Sequence, residues 1–296
     1  MKFGDNDQAD GGQVEDRRGF PTGRVCGGLG VVGVVVVVAF KLLNGDTRGA
    51  AEVVLQNAGR TPSSQENPQA PPTPLKPGSC KGVTSETDPA KFIVCVETDV
   101  QSFWAATLPQ MERAYRPAKL VLFTEQTESG CGQASSATGP FYCPADKKVY
   151  LDLGFFAELR RRFHARGGDF AEGYVVAHEY GHHVQDLLGV EAKVHLAERH
   201  NPAEKNALSV KLELQADCYA GVWGHAAYEK GKVSSEEVAL ALDAAAAVGD
   251  DRIQKEMRGS VRPETFTHGS AAMRQKWFKV GMEGGDPRAC DTFAEP

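Results

Sequence analysis

The chain has 296 residues, 41% of them hydrophobic and 24% charged, which allows one large folded domain beside polar segments. A formal net charge of -6 provides no electrostatic footprint for nucleic acid, and no nucleic-acid partner is expected. Seven cysteines include no Cys-x-x-Cys pair, which argues against a cysteine-ligated zinc site and leaves disulfides open in an oxidising compartment.

Residues 1–24 are polar, rich in Gly and Asp and without an apolar period, so a disordered tail is expected there. Arg17, Arg18 and Arg24 precede a valine-dominated run from Val25 to Phe40. Carried on to Leu43 it reaches 19 residues, close to the roughly 20 that cross a bilayer. The spacing predicts a single-pass transmembrane helix over 25–43. The arginines predict a cytoplasmic N-terminus and an extracytoplasmic remainder, with the lipid bilayer as a partner. A cleaved signal peptide competes, since Arg17-Arg18-Gly19-Phe20 is similar to a twin-arginine signal. No small-x-small cleavage site closely follows the run, however. Residues 44–88, with Pro62, Pro68, Pro71, Pro72, Pro74 and Pro77, read as a linker that cannot build a core.

The folded domain is expected over 89–296, as an α+β, mainly helical fold with a small β-sheet. Phe92, Val96, Val100, Phe103, Trp104, Leu108 and Met111 fall at helical spacing, and Pro117 ends that element. Lys119 to Thr124 reads as a buried strand and Lys148 to Leu153 as an alternating one, with a loop from Gly130 to Pro144 between them. A short helix carrying Phe155, Phe156 and Leu159 follows.

The chemistry centres on His178-Glu179-Tyr180-Gly181-His182. Histidines four apart share a helix face, so both imidazoles can reach one metal ion, with Glu179 beside them as general base. Asp169-Phe170-Ala171-Glu172 has the form of a capping box, and Gly189 is placed to end the helix. Gly181 inside it costs about 1 kcal/mol against Ala, which predicts close approach by another element. A third ligand is needed. The zincin class that takes a third histidine six residues on is excluded, because Leu188 stands there. The other class takes a glutamate from a later helix. Asn201-Pro202, with Glu204 at the third helical position, opens such a helix, and Glu213 and Asp217 share one of its faces. Glu213 is the expected third ligand, and Asp217 the partner for a ligating imidazole's other nitrogen. Ala220, Gly221 and Gly224 would let two helices approach closely. Ser234-x-x-Glu237 opens a further helix, and Met273, Trp277 and Val280 mark the core face of the last one.

His178-Glu179-x-x-His182 with Glu213-Leu214-Gln215-Ala216-Asp217 resembles the gluzincin pattern. Phe141-Tyr142-Cys143-Pro144-Ala145-Asp146, the run Ala216 to His225, and Phe266-Thr267-His268-Gly269 narrow this further. Together they are similar to the bacterial neutral zinc metallopeptidase family of single-pass membrane proteins. The resemblance implies a zincin-like domain, Zn2+ on His178, His182 and Glu213, and hydrolysis of a peptide or protein substrate by a zinc-activated water with Glu179 as base. An oxyanion partner is also implied, for which His268 or His225 can serve. Thr267-His268 and Arg274 resemble, more weakly, a Thr-His-Pro…Arg segment of gluzincin membrane proteases, with Gly269 in place of the proline. In zincins an extended substrate pairs with an exposed strand edge, for which Lys148–Leu153 is the candidate. Two other readings compete: a non-catalytic membrane-tethered assembly or chaperone-like module with a structural metal, and a zinc amidase acting on a cell-wall peptide. His183 is read as structural, and His164, His195 and His200 as surface residues. Cys131 and Cys143 bracket one loop and suit a local disulfide, Cys218 with Cys290 can form a second, and Cys80 with Cys95 can pair.

Overall fold

The computed structural model describes residues 1–19, 73–74, 77–163 and 165–294. Helix α1 (Pro89–Thr107) starts at Asp88, whose carboxylate accepts the Lys91 backbone N–H at 3.1 Å, with Pro89 where no N–H is needed. The principal sheet runs in the order β3 (Thr73–Pro74), β2 (Val14–Asp16), β5 (Lys119–Phe123), β9 (Lys148–Asp152), β8 (Phe141–Cys143). Its central three strands are parallel and its outer two antiparallel to their neighbours. β5 is apolar and buried from Leu120 to Phe123 because both of its faces are covered. Leu120 and Leu122 join Val149 and Leu151 in the main core, whereas Val121 and Phe123 join Tyr150 and Cys143 on the other face. The hairpin of β6 (Gln126–Ser129) and β7 (Gly132–Ser135) is tied to β8 by the Cys131–Cys143 disulfide.

Past β9 the chain is helical: α2 (Gly154–Phe163), α3 (Asp169–Leu188), α4 (Val190–His200), α5 (Lys205–Glu229), α6 (Ser235–Ala247), α7 (Asp250–Arg258) and α8 (Ala271–Gly284). Helix α3 is buried along most of its length, with α1, α5, α6 and β8 packed around it. Where α3 crosses α5, a Cβ on Gly181 would lie 3.0 Å from the Ala216 backbone, so the glycine is the point of close approach. Gly221 of α5 serves a different helix from the one its spacing suggested. It meets Gly281 of α8, and an added Cβ on either would collide with the other helix's backbone.

Four expectations need correction. First, Met1–Gly19 is no disordered tail. Met1, Phe3, Ala9 and Val14 are buried, β1 (Gln8–Ala9) pairs with β4 (Gly78–Ser79), and β2 lies inside the sheet. Strands of two or three residues are too short to leave a period, and only their tertiary partners give them order. Second, part of the expected linker is packed: Cys80 is buried and bonded to Cys95 of α1. Third, β9 is no exposed edge, since β5 and β8 pair with its two sides; among the described residues β8 is the strand that ends the sheet on that side. Fourth, Asp169 and Glu172 form no capping box. The N-cap is Gly168, Asp169 accepts from the backbone and hydroxyl of Ser85, and Glu172 pairs with Arg160 at 2.8 Å. The predicted span 25–43 and linker residues 44–72 lie outside the described residues, among which no helix is long and apolar enough to cross a membrane.

One buried acid sits beneath the site helix. Glu97 of α1 has no solvent exposure and accepts from Gln101, from Thr98 at 3.1 Å and from the Tyr180 hydroxyl at 3.3 Å. Burial pushes its pKa from 4.5 up to about 7. Between those values the folded protein holds a proton that the unfolded chain releases. This contribution to stability is complete below 4.5 and is lost as the pH rises through about 7. Glu97→Gln removes it. The melting temperature of that variant relative to wild type should rise between about pH 5 and about pH 8, at about 1.4 kcal/mol for each tenfold change in proton affinity. Parallel stability curves would show that Glu97 keeps its ordinary affinity.

Candidate metal centre

Helix α3 places His178 and His182 one turn apart, with ring centroids 4.9 Å apart and planes perpendicular. Helix α5 brings Glu213 across from them, its Oε2 3.2 Å from His178 Nε2 and its Oε1 3.6 Å from His182 Nε2. One ligand atom from each of these three residues lies within 4.8 Å of the others. Among the described residues this is the one cluster of metal-ligand type. A helix end and a helix start frame the two elements. Gly189, at φ 75°, closes α3 as its spacing predicts, while Asn201-Pro202 begins a 3-10 turn, Pro202–Glu204, that runs straight into α5.

The fit to a zinc ion rests on what the outer ring nitrogens do. His178 Nδ1–H donates to Asp217 Oδ1 at 2.9 Å, and His182 Nδ1–H to Gln185 Oε1 at 2.9 Å. Both imidazoles are thereby held with Nε2 toward the shared point, the arrangement a ligating histidine needs. Two neutral imidazoles and one carboxylate form the donor set of a catalytic zinc site with a position left open. The residues fit the metal.

Asp217 is completely buried. Its Oδ2 accepts Arg274 Nε at 2.7 Å, and its Oδ1 accepts Arg274 Nη2 at 2.8 Å and the Tyr174 hydroxyl at 2.5 Å. Burial alone would raise this carboxyl, but Arg274 and His178 hold it below the usual carboxylate range. Burial disfavours the His178 imidazolium, yet Asp217 and Glu213 outweigh it and push its pKa to about 10. Burial likewise opposes the Glu213 anion, and His182, His268 and His178 hold it well below its usual range. Glu179, buried beside them, is shifted up by desolvation against the pull of the two histidines.

His268 reaches the same region from the loop before α8. Gly269 of that loop rests on Val210 and Leu214 of α5, and Ser209 donates to the Thr267 carbonyl at 2.9 Å. Asp250 shapes the turn: its Oδ2 accepts the backbone N–H groups of Thr267, His268 and Gly269, and its Oδ1 lies 3.2 Å from His268 Nδ1. Burial lowers the His268 pKa, but Glu213 and Asp250 together raise it, so the imidazole feels the charge of the cluster. His225 is elsewhere. It lies twelve residues beyond Glu213 on α5, roughly 18 Å along the axis, and bonds the Met282 carbonyl at 2.8 Å. His183 is buried against Tyr142 and the Arg116 carbonyl, a packing role. His195 and His200 are exposed, and His164 lies outside the described residues.

Sequence reasoning gave no part to Gln185, Tyr174 or Asp250, and none to Arg274 beyond the weak segment resemblance. Gln185 is 1% exposed; its amide donates to Leu212 O at 2.7 Å and to Gln215 Oε1 at 3.1 Å, and Gln215 in turn donates to Cys290 O at 2.9 Å. This chain locks the acceptor that orients His182. Gln185→Leu should therefore weaken zinc binding roughly 10–100-fold in competition with a chelator, measured on folded protein. Unchanged affinity would mean that His182 is oriented by something else.

Comparison with known proteins follows the same residues. Residues 2–293 match the family described as "Putative neutral zinc metallopeptidase". "Uncharacterized protein YpfJ" of Escherichia coli (strain K12) is 46% identical over 212 residues, covering 71% of this chain and 74% of its own length. "Uncharacterized protein Mb2605" of Mycobacterium bovis and "Uncharacterized protein Rv2575" of Mycobacterium tuberculosis are each 49% identical over 213 residues, 68% of this chain and 70% of theirs. No solved structure matches. On the strength of a match that spans nearly its whole length, this chain belongs to that family.

Proposed function

We propose that the protein is a zinc-dependent peptidase that hydrolyses peptide bonds in a peptide or protein substrate. The observation that carries this reading is the convergence of His178, His182 and Glu213, each histidine already oriented through Nδ1. A zinc ion held there would act as a Lewis acid on a water and on the scissile carbonyl. Glu179, next to His178 on α3, takes the proton of the attacking water on a carboxylate oxygen and passes it to the leaving amine nitrogen. With Nδ1 directed to Asp250, His268 keeps Nε2 for the oxygen that gains charge as the carbonyl carbon is attacked. Asp217 holds His178 in register throughout. The outer side of β8, which ends the sheet among the described residues, would offer its backbone to an extended substrate; Tyr142 of β8 anchors it to α3 by donating to Asp186 at 2.7 Å. Three disulfides, Cys80–Cys95, Cys131–Cys143 and Cys218–Cys290, support work in an oxidising, extracytoplasmic compartment. Attachment to the lipid bilayer is through residues 25–43.

A structural-metal module would need a fourth protein ligand, and the cluster among the described residues has three. An amidase acting on cell-wall peptides would use the same groups, so the choice of substrate separates it from a protease.

Glu179→Gln should lower casein hydrolysis by at least about 100-fold while zinc content stays equal to wild type. His268→Ala should lower kcat about 100-fold with zinc retained. Wild type should lose activity to a chelator and recover it with added zinc. Hydrolysis undiminished in the Glu179 variant would sink the assignment, and cleavage of cell-wall peptides alone would favour the amidase.

A further inference from the structure

The N-terminal residues are woven into the domain that carries the metal centre. β2 pairs in parallel with β5, Val14 opposite Leu120 and Asp16 opposite Leu122, and Arg17 N–H continues the ladder to Leu122 O at 2.8 Å. Phe3 packs edge-on against Phe92 of α1, and Asp10 N–H donates to Thr98 of the same helix at 2.9 Å. Lys232, just past α5, donates to Asp7 at 2.8 Å, and Lys148 of β9 pairs with Glu15 at 2.9 Å. These contacts involve buried apolar side chains and ladder hydrogen bonds, which form only within one compartment.

The return of the chain is as informative. β3 is antiparallel to β2, with Thr73 opposite Asp16. The chain therefore leaves the sheet just after Asp16 and re-enters beside it, one strand spacing away, about 5 Å. A single passage through a membrane would part those ends by about 30 Å of hydrocarbon. Two of the arginines that suggested a cytoplasmic N-terminus, Arg17 and Arg18, are also engaged in the fold. Arg17 pairs with Glu15 at 2.8 Å and donates to the Glu128 carbonyl at 2.9 Å, and Arg18 grips Asp16 through two nitrogens at 2.9 and 2.6 Å.

We infer that Met1–Gly19 and the metal centre lie on the same side of the membrane, so that residues 20–72 begin and end on that one side. The lipid-attached stretch can then hold the domain against a bilayer but does not carry the chain through it once. This replaces the single-pass arrangement, with its cytoplasmic N-terminus and extracytoplasmic domain, by one in which both segments face the same compartment. The match to the family begins at residue 2 and so includes the strand on which the inference rests. The lipid attachment comes from the proposed function; the shared compartment comes from strand pairing.

The test uses the full chain with Cys26→Ser, in spheroplasts of a bacterial host. Asp5 and Lys81 form an exposed ion pair, and Glu229 is exposed at the end of α5. Asp5→Cys and Glu229→Cys, made singly, should react with a membrane-impermeant maleimide to the same fraction in intact spheroplasts, and alike after detergent. Labelling of one in intact spheroplasts, with the other reactive only after detergent, would overturn the inference. In the Asp5→Cys/Lys81→Cys double variant a short bismaleimide should join the two thiols within one chain in intact membranes. No crosslink between thiols that both react singly would overturn it equally. Carbonate extraction of the membrane pellet reads lipid attachment separately, so loss of attachment and loss of shared sidedness give different results.

Discussion

The structure turns on Asp217. A carboxylate with no solvent exposure receives hydrogen bonds from His178 and Tyr174 of α3 and two from Arg274 of α8, while belonging to α5 itself. Three helices thus meet at one buried anion. Such a pair need add little net stability, since desolvation offsets much of its Coulombic gain. Its effect is geometric: an uncompensated charge there would cost several kcal/mol, so alternative helix registers that break the set are disfavoured. The backbone contact of Gly221 with Gly281 brings α8 near enough for Arg274 to reach, and the Cys218–Cys290 disulfide fixes the tail beside the same turn. Sterics, a covalent link and a buried ion pair all act on Asp217–Gly221 of α5, the stretch that begins about one turn after Glu213.

From that anchor the two histidines differ. His178 leans on an anion, which makes its Nε2 a stronger donor to a cation. His182 leans on the neutral amide of Gln185, whose own orientation depends on Gln215 and on the Cys290 carbonyl. Charge therefore governs one ligand and a chain of neutral hydrogen bonds the other. Glu179, between them in sequence, makes no hydrogen bond to another of the described residues, which leaves its oxygens available for a proton.

What the sequence made legible follows from how local each signal is. His178, Glu179 and His182 show themselves because i and i+4 share a helix face. Glu213 and Asp217 do so by the same spacing on a second helix. Gly189 and the Gly181 crossing could be read because a glycine in or after an apolar stripe has few structural uses. Gln185 left no trace, as a glutamine in the last turn of a helix looks like any surface residue until its partners on α5 are placed. Asp250 orders the His268 turn across a gap of 18 residues, again a tertiary fact. The Asp169/Glu172 box misled because Ser85 and Arg160 compete successfully for those carboxylates. For β9, alternation predicted a strand but could not say which neighbours would cover its edges.

The N-terminal segment shows what periodicity cannot see. Val14, Glu15 and Asp16 are three residues in a polar stretch, yet they fill the ladder position beside β5, whose Leu120 to Phe123 are buried. Without them β5 would present a row of unpaired N–H and C=O groups next to Leu120 and Leu122, an edge that natural sheets avoid. Glu15 further gathers Arg17, Lys119 and Lys148; burial works against its anion, but Lys148 and Arg17 hold its carboxyl down to about 2. A segment that completes the sheet and neutralises its rim is part of the domain, however far along the chain the rest of that domain begins. The same β5–β9 pair leads through β8 to α3, so the strand that closes one end of the sheet and the helix that carries the histidines belong to a single packed unit.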